Sequence, residues 1–116
     1  MTDVINQYIE QEEQRQLEMI GLIPSENHIS PEVSEVLSST LNSKYAEGYP
    51  GRRYYEGNQL VDKIENEARD RIKELFKVPY VNVQPYSGSP ANFAVFTALL
   101  KPHDRIMGLD LPSGGH

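Results

Sequence analysis

The sequence contains neither cysteine nor tryptophan among its 116 residues. The absence of cysteine excludes disulfide frameworks, thiolate zinc sites and cysteine nucleophiles. Basic residues are also few, 11 against 17 acidic residues, and the formal net charge is −6. Because no cluster of Lys and Arg is present to follow a phosphate backbone, we do not expect general nucleic-acid binding.

Long apolar runs are missing as well. No stretch approaches the roughly 20 apolar residues that a membrane-spanning helix needs. The chain begins Met1-Thr2-Asp3-Val4 and then becomes acidic, which is unlike a secretory signal peptide. We therefore predict a cytoplasmic protein without membrane association. Only 38% of the residues are hydrophobic, which is low for a small domain that must bury its own core.

Hydrophobic periodicity predicts a series of helices. The first starts at the capping residue Asp3 and runs to about residue 19, and its polar middle suits an arm that docks on another subunit. Ser30 and Pro31 begin the second helix as N-cap and first helical residue. The third covers residues 60–76, with apolar residues on one face and charges on the other.

The last 37 residues predict a strand–helix–strand unit. Short strands at 81–83 and 105–109 flank a helix at 90–100 that is apolar nearly all round and therefore buried. This order implies a right-handed parallel crossover. Two parallel strands do not make a stable sheet, so we expect more chain or a partner to complete it. Alone, the chain is expected to be marginally stable, with an exposed apolar patch on this helix.

The turn Ser87-Gly88-Ser89 lies between a predicted strand and a helix N-terminus. Free backbone N–H groups, the helix dipole and two hydroxyls at such a turn are suited to binding phosphate. Gly88 allows a ligand to approach the backbone closely. The alternative is a plain turn in which Ser89 is the N-cap and Pro90 the first helical residue.

Residues 42–58 form a long stretch without hydrophobic periodicity, a feature typical of functional loops. Residues 45–55 within it contain four Tyr, two Arg and one Glu. Tyrosine hydroxyls can donate to phosphate, and a partly buried Glu47 with a raised pKa would relay protons near neutrality. The same composition is typical of subunit contacts, and both interpretations remain open.

Two further segments are weak signals by themselves. Ser25, in the sequence Ser-Glu-Asn, is most simply part of an Asx or capping turn. His116 follows two glycines, where it could stack on a flat cofactor or act as a base. His28 and His103 show no metal-ligand spacing, so no metal site is expected.

Together, several of these segments resemble the N-terminal part of the serine hydroxymethyltransferases. They read LIPSEN at 22–27, KYAEGYPGRRYY at 44–55, NVQPYSGSPAN at 82–92, MGLDL at 107–111 and GGH at 114–116. The resemblance extends from about residue 13 to 116, and the block at 44–55 is highly specific to that family.

The resemblance implies an α/β enzyme of fold type I, the aspartate aminotransferase type, that depends on pyridoxal 5′-phosphate. Such enzymes interconvert serine and tetrahydrofolate with glycine and 5,10-methylenetetrahydrofolate, in one-carbon metabolism. Their active site lies at a dimer interface, so a homodimer or homotetramer is implied. Residues 1–42 then correspond to an N-terminal helical arm, 43–58 to an active-site and interface loop, and 59–116 to the start of the large cofactor-binding domain.

The same resemblance implies roles for residues of the loop and of the serine-rich turn. Ser87, Gly88 and Ser89 match the cup that holds the cofactor phosphate. Tyr45 matches a tyrosine that reaches the phosphate of the neighbouring subunit's cofactor. Glu47 matches a glutamate near the substrate hydroxyl and the folate, and Tyr55 a second tyrosine that crosses the interface.

The remaining implied roles concern substrate and pyridine ring. Ser25 resembles the serine near the substrate carboxylate, and His116 the histidine that stacks on the cofactor ring. Leu111 and Gly115 match positions that line the folate site. Glu56, in place of a usual glycine, and His28, in place of a usual phenylalanine, depart from the family pattern outside these matched positions.

Family members are several times longer than this chain. We expect the cofactor-binding lysine, the aspartate at the pyridine nitrogen and the arginine for the substrate carboxylate to lie downstream, so the 116 residues alone are expected to be inactive. One alternative is a short non-catalytic partner or decoy subunit. Another is a related pyridoxal-phosphate aldolase acting on threonine, against which the block at 44–55 argues.

Overall fold

The computed structural model describes residues 3–116, and contacts divide the chain into two units. The first unit ends at Lys44 and the second runs from Tyr45 to His116. The predicted phosphate turn and the tyrosine-rich loop both belong to the second unit. Ser25 belongs to the first.

The first unit consists of two helices and a short 3₁₀ turn. Helix α1 spans Val4–Glu18 and is capped by the Asp3 carboxylate, as predicted. Helix α2 spans Pro31–Leu37, and the Ser30 hydroxyl caps it, which confirms the Ser-Pro start signal. The 3₁₀ turn at Thr40–Ser43 follows directly.

The second unit opens with a small antiparallel hairpin. Strand β1 (Gly48–Tyr49) pairs with strand β2 (Arg52–Arg53), so that Gly48 lies opposite Arg53. The connection is Pro50-Gly51, and Gly51 adopts φ of 72°, a left-handed conformation that glycine tolerates. The stretch at 42–58, predicted as irregular throughout, is therefore ordered locally by a tight turn.

Helix α3 spans Gln59–Phe76, close to the predicted 60–76, and ends where Lys77 turns left-handed. Its half-buried face does not consist of apolar residues alone. Asp62 and Glu65, one turn apart, share that face with apolar residues such as Ala68 and are half-buried. The expected separation into apolar and charged faces is therefore wrong at these two positions, because both carboxylates pair with an arginine of the hairpin.

Helix α4 spans Gly88–Leu99 and begins two residues before the predicted start. Ser87 is its N-cap residue, and the Ser87 side chain makes no capping hydrogen bond. The alternative in which Ser89 caps the helix and Pro90 opens it is therefore wrong. Pro90 occupies the third helical position, within the first turn, where a missing N–H costs no helical hydrogen bond.

The two strands predicted around helix α4 do not form. Residues 81–83 and 105–109 carry no strand assignment, and within residues 3–116 the only paired strands are β1 and β2. The predicted parallel crossover is accordingly not observed. A strand needs a hydrogen-bonded neighbour, and parallel strands need cover on both faces, neither of which local sequence supplies. A 3₁₀ turn at Leu111–Ser113 precedes the C-terminal residues.

Burial is slight throughout the part of the chain that the structure describes. No hydrophobic side chain there is buried, and Asn58 is the single buried polar residue, at 4% exposure. The prediction that helix α4 is buried is therefore wrong for this chain, since Phe93 is 72% exposed. The same exposure agrees with the apolar patch expected on this helix if the chain is alone. Among the described residues, no helix combines the length and apolar character that a bilayer crossing requires.

Candidate functional site

Arg53 is the centre of the best-ordered polar cluster in the second unit. Its side chain is 6% exposed and lies between the hairpin and helix α3. Nε donates to Asp62 Oδ1 at 2.8 Å, and Nη2 donates to Glu65 Oε2 at 2.7 Å. Nη1 donates to the carbonyl oxygens of Ala46 and Gly48, each at 2.8 Å. One guanidinium thus attaches the loop to the helix through four acceptors, as its planar fork permits.

The charges in this cluster stabilise one another. The hydrogen bonds that Arg53 donates to Asp62 and then to Glu65 raise the pKa of Arg53 above its ordinary value. The Gly51 N–H, which donates to Asp62 Oδ2 at 2.9 Å, and then Arg53 lower the pKa of Asp62 below its ordinary value. Asp62 is therefore held ionised and binds both the turn, at Gly51, and strand β2, at Arg53.

Three of the predicted site residues lie together on the loop that this cluster holds. The Tyr45 hydroxyl donates to Glu47 Oε2 at 3.3 Å. The rings of Tyr45 and Tyr55 meet edge to face, with centroids 4.9 Å apart and an interplanar angle of 84°. The structure therefore brings Tyr45, Glu47 and Tyr55 into one cluster, although two of them are ten positions apart.

Asn58 fixes the two tyrosines at the backbone. Its Nδ2 donates to the carbonyl oxygens of Tyr45, at 3.3 Å, and Tyr55, at 3.0 Å. Asn58 is also the N-cap residue of helix α3, but its side chain is used for the loop and makes no capping bond. A buried amide that bridges two carbonyls defines the distance between the residues that bear them.

The Glu47 carboxylate is exposed in this chain, as are Tyr45 and Tyr55, at 64% and 56%. The expectation of a partly buried Glu47 is therefore wrong for the chain itself. The cause is geometric: the neighbours Ala46 and Gly48 turn their carbonyls toward Arg53, and the side chain between them projects outward. The exposed cluster is available to a ligand or to a second protein surface.

The serine-rich turn lies at the N-terminus of helix α4, as the phosphate interpretation requires. The Ser87 hydroxyl does not cap the helix, and a Cβ added to Gly88 would meet nothing within 4 Å. Since Pro90 has no N–H, the available donors are the amides of Gly88 and Ser89 and the two serine hydroxyls. This uncapped, uncrowded donor set fits the phosphate of pyridoxal 5′-phosphate.

His116 lies beside the same turn. Its Nε2 is 3.4 Å from Ser89 Oγ, although 27 residues separate them. Gly115 is held by a hydrogen bond from its N–H to the Asp110 carbonyl at 2.8 Å, and an added Cβ would lie 1.9 Å from the Leu109 carbonyl oxygen. Leu111 is 79% exposed at the start of the last 3₁₀ turn. Only glycine fits at position 115, where the backbone lies close to that of Leu109 and Asp110.

Ser25 belongs to the first unit. There it lines a pocket of about 660 Å³ with Glu12, Arg15 and His28. Arg15 donates to Glu12 at 2.6 and 2.7 Å. That bond, with a further one from Gln16, lowers the pKa of Glu12 to about 2.

Residues that hold the site in place were missed in the sequence. The sequence pattern places Arg53 only within a binding loop and indicates no role for Asp62, Glu65 or Gln84. The available signal was two carboxylates three positions apart on the most regular helix, preceded by a Gly-flanked arginine pair. That signal does not say which arginine pairs with which carboxylate, because the hairpin turn decides which of Arg52 and Arg53 points to the helix.

Comparison with known proteins gives a consistent result over the whole chain. The sequence model of the family described as serine hydroxymethyltransferase matches residues 1–116. The chain is 60% identical over 116 residues to serine hydroxymethyltransferase 4 of Arabidopsis thaliana, which covers 97% of this chain. It is 58% and 60% identical over 108 residues, 93% of this chain, to the serine hydroxymethyltransferases of Acidothermus cellulolyticus and Desulfotalea psychrophila. In each case the chain spans about a quarter of the relative's length.

Proposed function

Because the chain belongs to the serine hydroxymethyltransferase family, we propose that it carries part of a pyridoxal-phosphate-dependent active site. The reaction is the interconversion of serine and tetrahydrofolate with glycine and 5,10-methylenetetrahydrofolate, in the cytoplasm. The observation that carries the proposal is the exposed cluster of Tyr45, Glu47 and Tyr55, held on a rigid loop. An exposed cluster of this kind suits a site completed by a second subunit.

In this proposal the division of the chain follows the site. Residues 1–42 form a helical arm, 43–58 the loop that enters a neighbouring subunit, and 59–116 the start of the large cofactor-binding domain of fold type I. The whole protein is then a homodimer or homotetramer. The loop of each subunit contributes to the active site of the other. This arrangement explains why the composition of the loop is typical both of active sites and of subunit interfaces.

Glu47 is the residue assigned to proton transfer near the substrate hydroxyl. Its carboxylate already accepts a hydrogen bond from the Tyr45 hydroxyl, which orients Oε2 and leaves the second oxygen for the substrate. In a closed interface the loss of water strengthens this interaction. Tyr45 is assigned to the cofactor phosphate, to which its single O–H would donate in place of Glu47, and its ring packs edge to face with that of Tyr55.

The turn at 87–89 is assigned to the phosphate and His116 to the pyridine ring. When bound, the cofactor supplies the electron sink for cleavage at the amino acid's α-carbon. The chain's own part is to hold and orient: amide and hydroxyl donors of Ser87, Gly88 and Ser89 bind the phosphate. His116, already beside Ser89, covers the ring, and the tightly packed Gly115 allows its close approach.

The remaining assignments concern the substrates. Ser25 is assigned to the serine carboxylate, which its hydroxyl can bind as a donor. Leu111 and Gly115 are assigned to the folate, for which the exposed Leu111 side chain offers an apolar contact. The folate site and the cofactor site would thus share the segment 111–116.

The test uses a hybrid enzyme, in which residues 1–116 replace the matching quarter of the Arabidopsis relative. We expect the hybrid to cleave serine in the presence of tetrahydrofolate. Glu47→Gln should lower kcat about 10²-fold or more, the usual loss when a general acid or base is removed. Glu56→Gln is the matched control, since Glu56 lies on the same loop outside the assigned set, and should leave kcat within about twofold.

Three results would contradict the proposal. A hybrid that assembles and binds pyridoxal phosphate but does not cleave serine would exclude the activity. Cleavage of threonine without any folate-dependent reaction of serine would point instead to the related aldolase. Turnover by the isolated 116-residue chain would show that the site does not need the groups expected elsewhere in the family's sequence.

A further inference from the structure

Gln84 makes the longest-range side-chain contact of the second unit, and no role has been assigned to it. Its Nε2 donates to the Gly48 carbonyl at 2.8 Å, across 36 positions in the sequence. The same nitrogen lies 3.1 and 3.3 Å from the two carboxylate oxygens of Glu65 on helix α3. Gln84 is therefore bound both to the hairpin and to the helix beneath it.

Glu65 and the Gly48 carbonyl each have a second partner, and it is the same one. Arg53 donates to Glu65 Oε2 at 2.7 Å and to the Gly48 carbonyl at 2.8 Å. It also donates to the Ala46 carbonyl at 2.8 Å. The two carbonyls bound here belong to the residues on either side of Glu47. The backbone around Glu47 is thus fixed by donors that themselves converge on Glu65.

Gln84 also lies three positions before Ser87, the first residue of the phosphate turn. A side chain anchored at Glu65 therefore joins the segment leading to Ser87 with the loop that bears Glu47. Glu65, with a side-chain exposure of 13%, makes its bond to Arg53 in a part-buried position, whereas Gln84 is exposed.

We propose that Gln84 and Glu65 are positioning residues, which hold the Glu47 loop in register with the segment that leads to the phosphate turn. This proposal rests on the proposed function, because it is in serine cleavage that the position of the Glu47 loop matters. Its physical content is preorganisation: a side chain that acts in the neighbouring subunit's site loses rate steeply when the loop that bears it shifts by about 1 Å.

The decisive variant is Gln84→Met in the hybrid enzyme, which keeps the length of the side chain and removes its donor. Amide hydrogen exchange of the peptide covering residues 46–55 should become roughly fivefold faster, as expected for one modest hydrogen bond. Gln84→Lys, which retains a donor, should restore slow exchange. Gln59→Met is the matched control, because Gln59 is exposed at the first position of helix α3, and should leave exchange unchanged.

Activity then tests the link to the reaction. With Gln84→Met we expect kcat to fall about tenfold while KM for serine stays within about twofold, since geometry rather than serine binding is affected. Glu65→Gln, which keeps an acceptor but loses the charge, should give a larger effect in the same direction, because it also removes the ion pair with Arg53.

The proposal and the proposed function fail in distinguishable ways. If amide hydrogen exchange at 46–55 is unchanged in Gln84→Met, Gln84 does not hold the Glu47 loop, whatever the activity. Exchange that accelerates over the whole protein would overturn the proposal too, by showing a general loss of stability. Faster local exchange with unchanged kcat would overturn the role in catalysis. An inactive unsubstituted hybrid would refute the proposed function. The comparison of amide exchange would still show whether Gln84 holds the Glu47 loop.

Discussion

At the scale of single residues, the Glu47 loop depends on one guanidinium and two glycines. Arg53 uses four acceptors at once, a geometry that a lysine ammonium does not reproduce. Gly48 and Gly51 both have positive φ, 105° and 72°. Their surroundings differ: a Cβ at Gly48 would lie 2.4 Å from the Arg52 carbonyl oxygen, whereas one at Gly51 would meet nothing within 4 Å.

Alanine substitutions at Gly48 and Gly51 therefore form a matched pair, because both residues have positive φ but only Gly48 lies against neighbouring backbone. Gly48→Ala should cost the loop about 2–3 kcal/mol, because backbone strain is joined by a clash with backbone that cannot move aside. Gly51→Ala should cost about 1 kcal/mol, from the left-handed conformation alone. Amide exchange of residues 46–55 in the hybrid measures the free energy of loop opening. Equal costs at the two positions would contradict the geometry described for Gly48.

At the scale of elements, helix α3 supports the loop with charge as much as with packing. Asp62 and Glu65 lie on its half-buried face, and the Arg53 guanidinium lies against both. The hairpin has only two residues in each strand, so its own backbone pairing is too short to be stable in water. The helix therefore determines whether the hairpin forms.

The pKa of Asp62 predicts how this support responds to acid. Because the pKa is lowered in the folded chain, by the Gly51 N–H and then by Arg53, ionised Asp62 favours the closed loop. That contribution is complete above the ordinary value of 3.8 and is lost as the pH falls below it, through the lowered pKa. The protection of residues 46–55 against amide hydrogen exchange, corrected for the intrinsic exchange rate, should therefore decrease as the pH falls below 3.8.

Asp62→Asn is the variant that checks the assignment. It should weaken loop protection already at pH 7 and should remove most of the acid dependence below about pH 4. Asp70→Asn is a suitable control, since Asp70 pairs with Lys73 on the exposed part of the same helix. An acid transition that persists unchanged in Asp62→Asn would assign it to another carboxylate.

At the scale of the whole molecule, apolar surface is the dominant feature. No hydrophobic side chain among residues 3–116 is buried, and helix α4 exposes a strip that includes Phe93, Ala94 and Thr97. Contiguous apolar surface of this kind favours association. The three relatives compared above are about four times as long as this chain. Their additional residues are available to cover an apolar surface of this kind.

We therefore expect the isolated chain to self-associate. Sedimentation velocity should show a weight-average mass that rises with concentration, and Phe93→Gln should reduce that rise by removing the largest ring of the strip. Met107→Gln, at an isolated residue that is 98% exposed, should have little effect. A monomer with a sharp, concentration-independent melting transition would contradict this expectation.

Much of the local structure was predictable from sequence, and the reasons are local. Asp3 and Ser30 cap helices because a side-chain oxygen reaches an amide two or three positions on, which needs no distant partner. Helix α3 follows from its 3.6-residue period. The strands expected at 81–83 and 105–109 failed for the opposite reason, since a strand exists only through pairing with another segment.

The family is evident from motifs at 22–27, 44–55 and 82–92, and the helices from capping residues and hydrophobic periodicity. The contacts that support the loop appear only in the folded chain: Arg53 pairs with Asp62 and Glu65, and Gln84 reaches Gly48. The physical reason is that periodicity and capping act within a few residues. The partner of a charge or of a buried amide depends instead on where the turn at Gly51 and the end of helix α3 direct the chain.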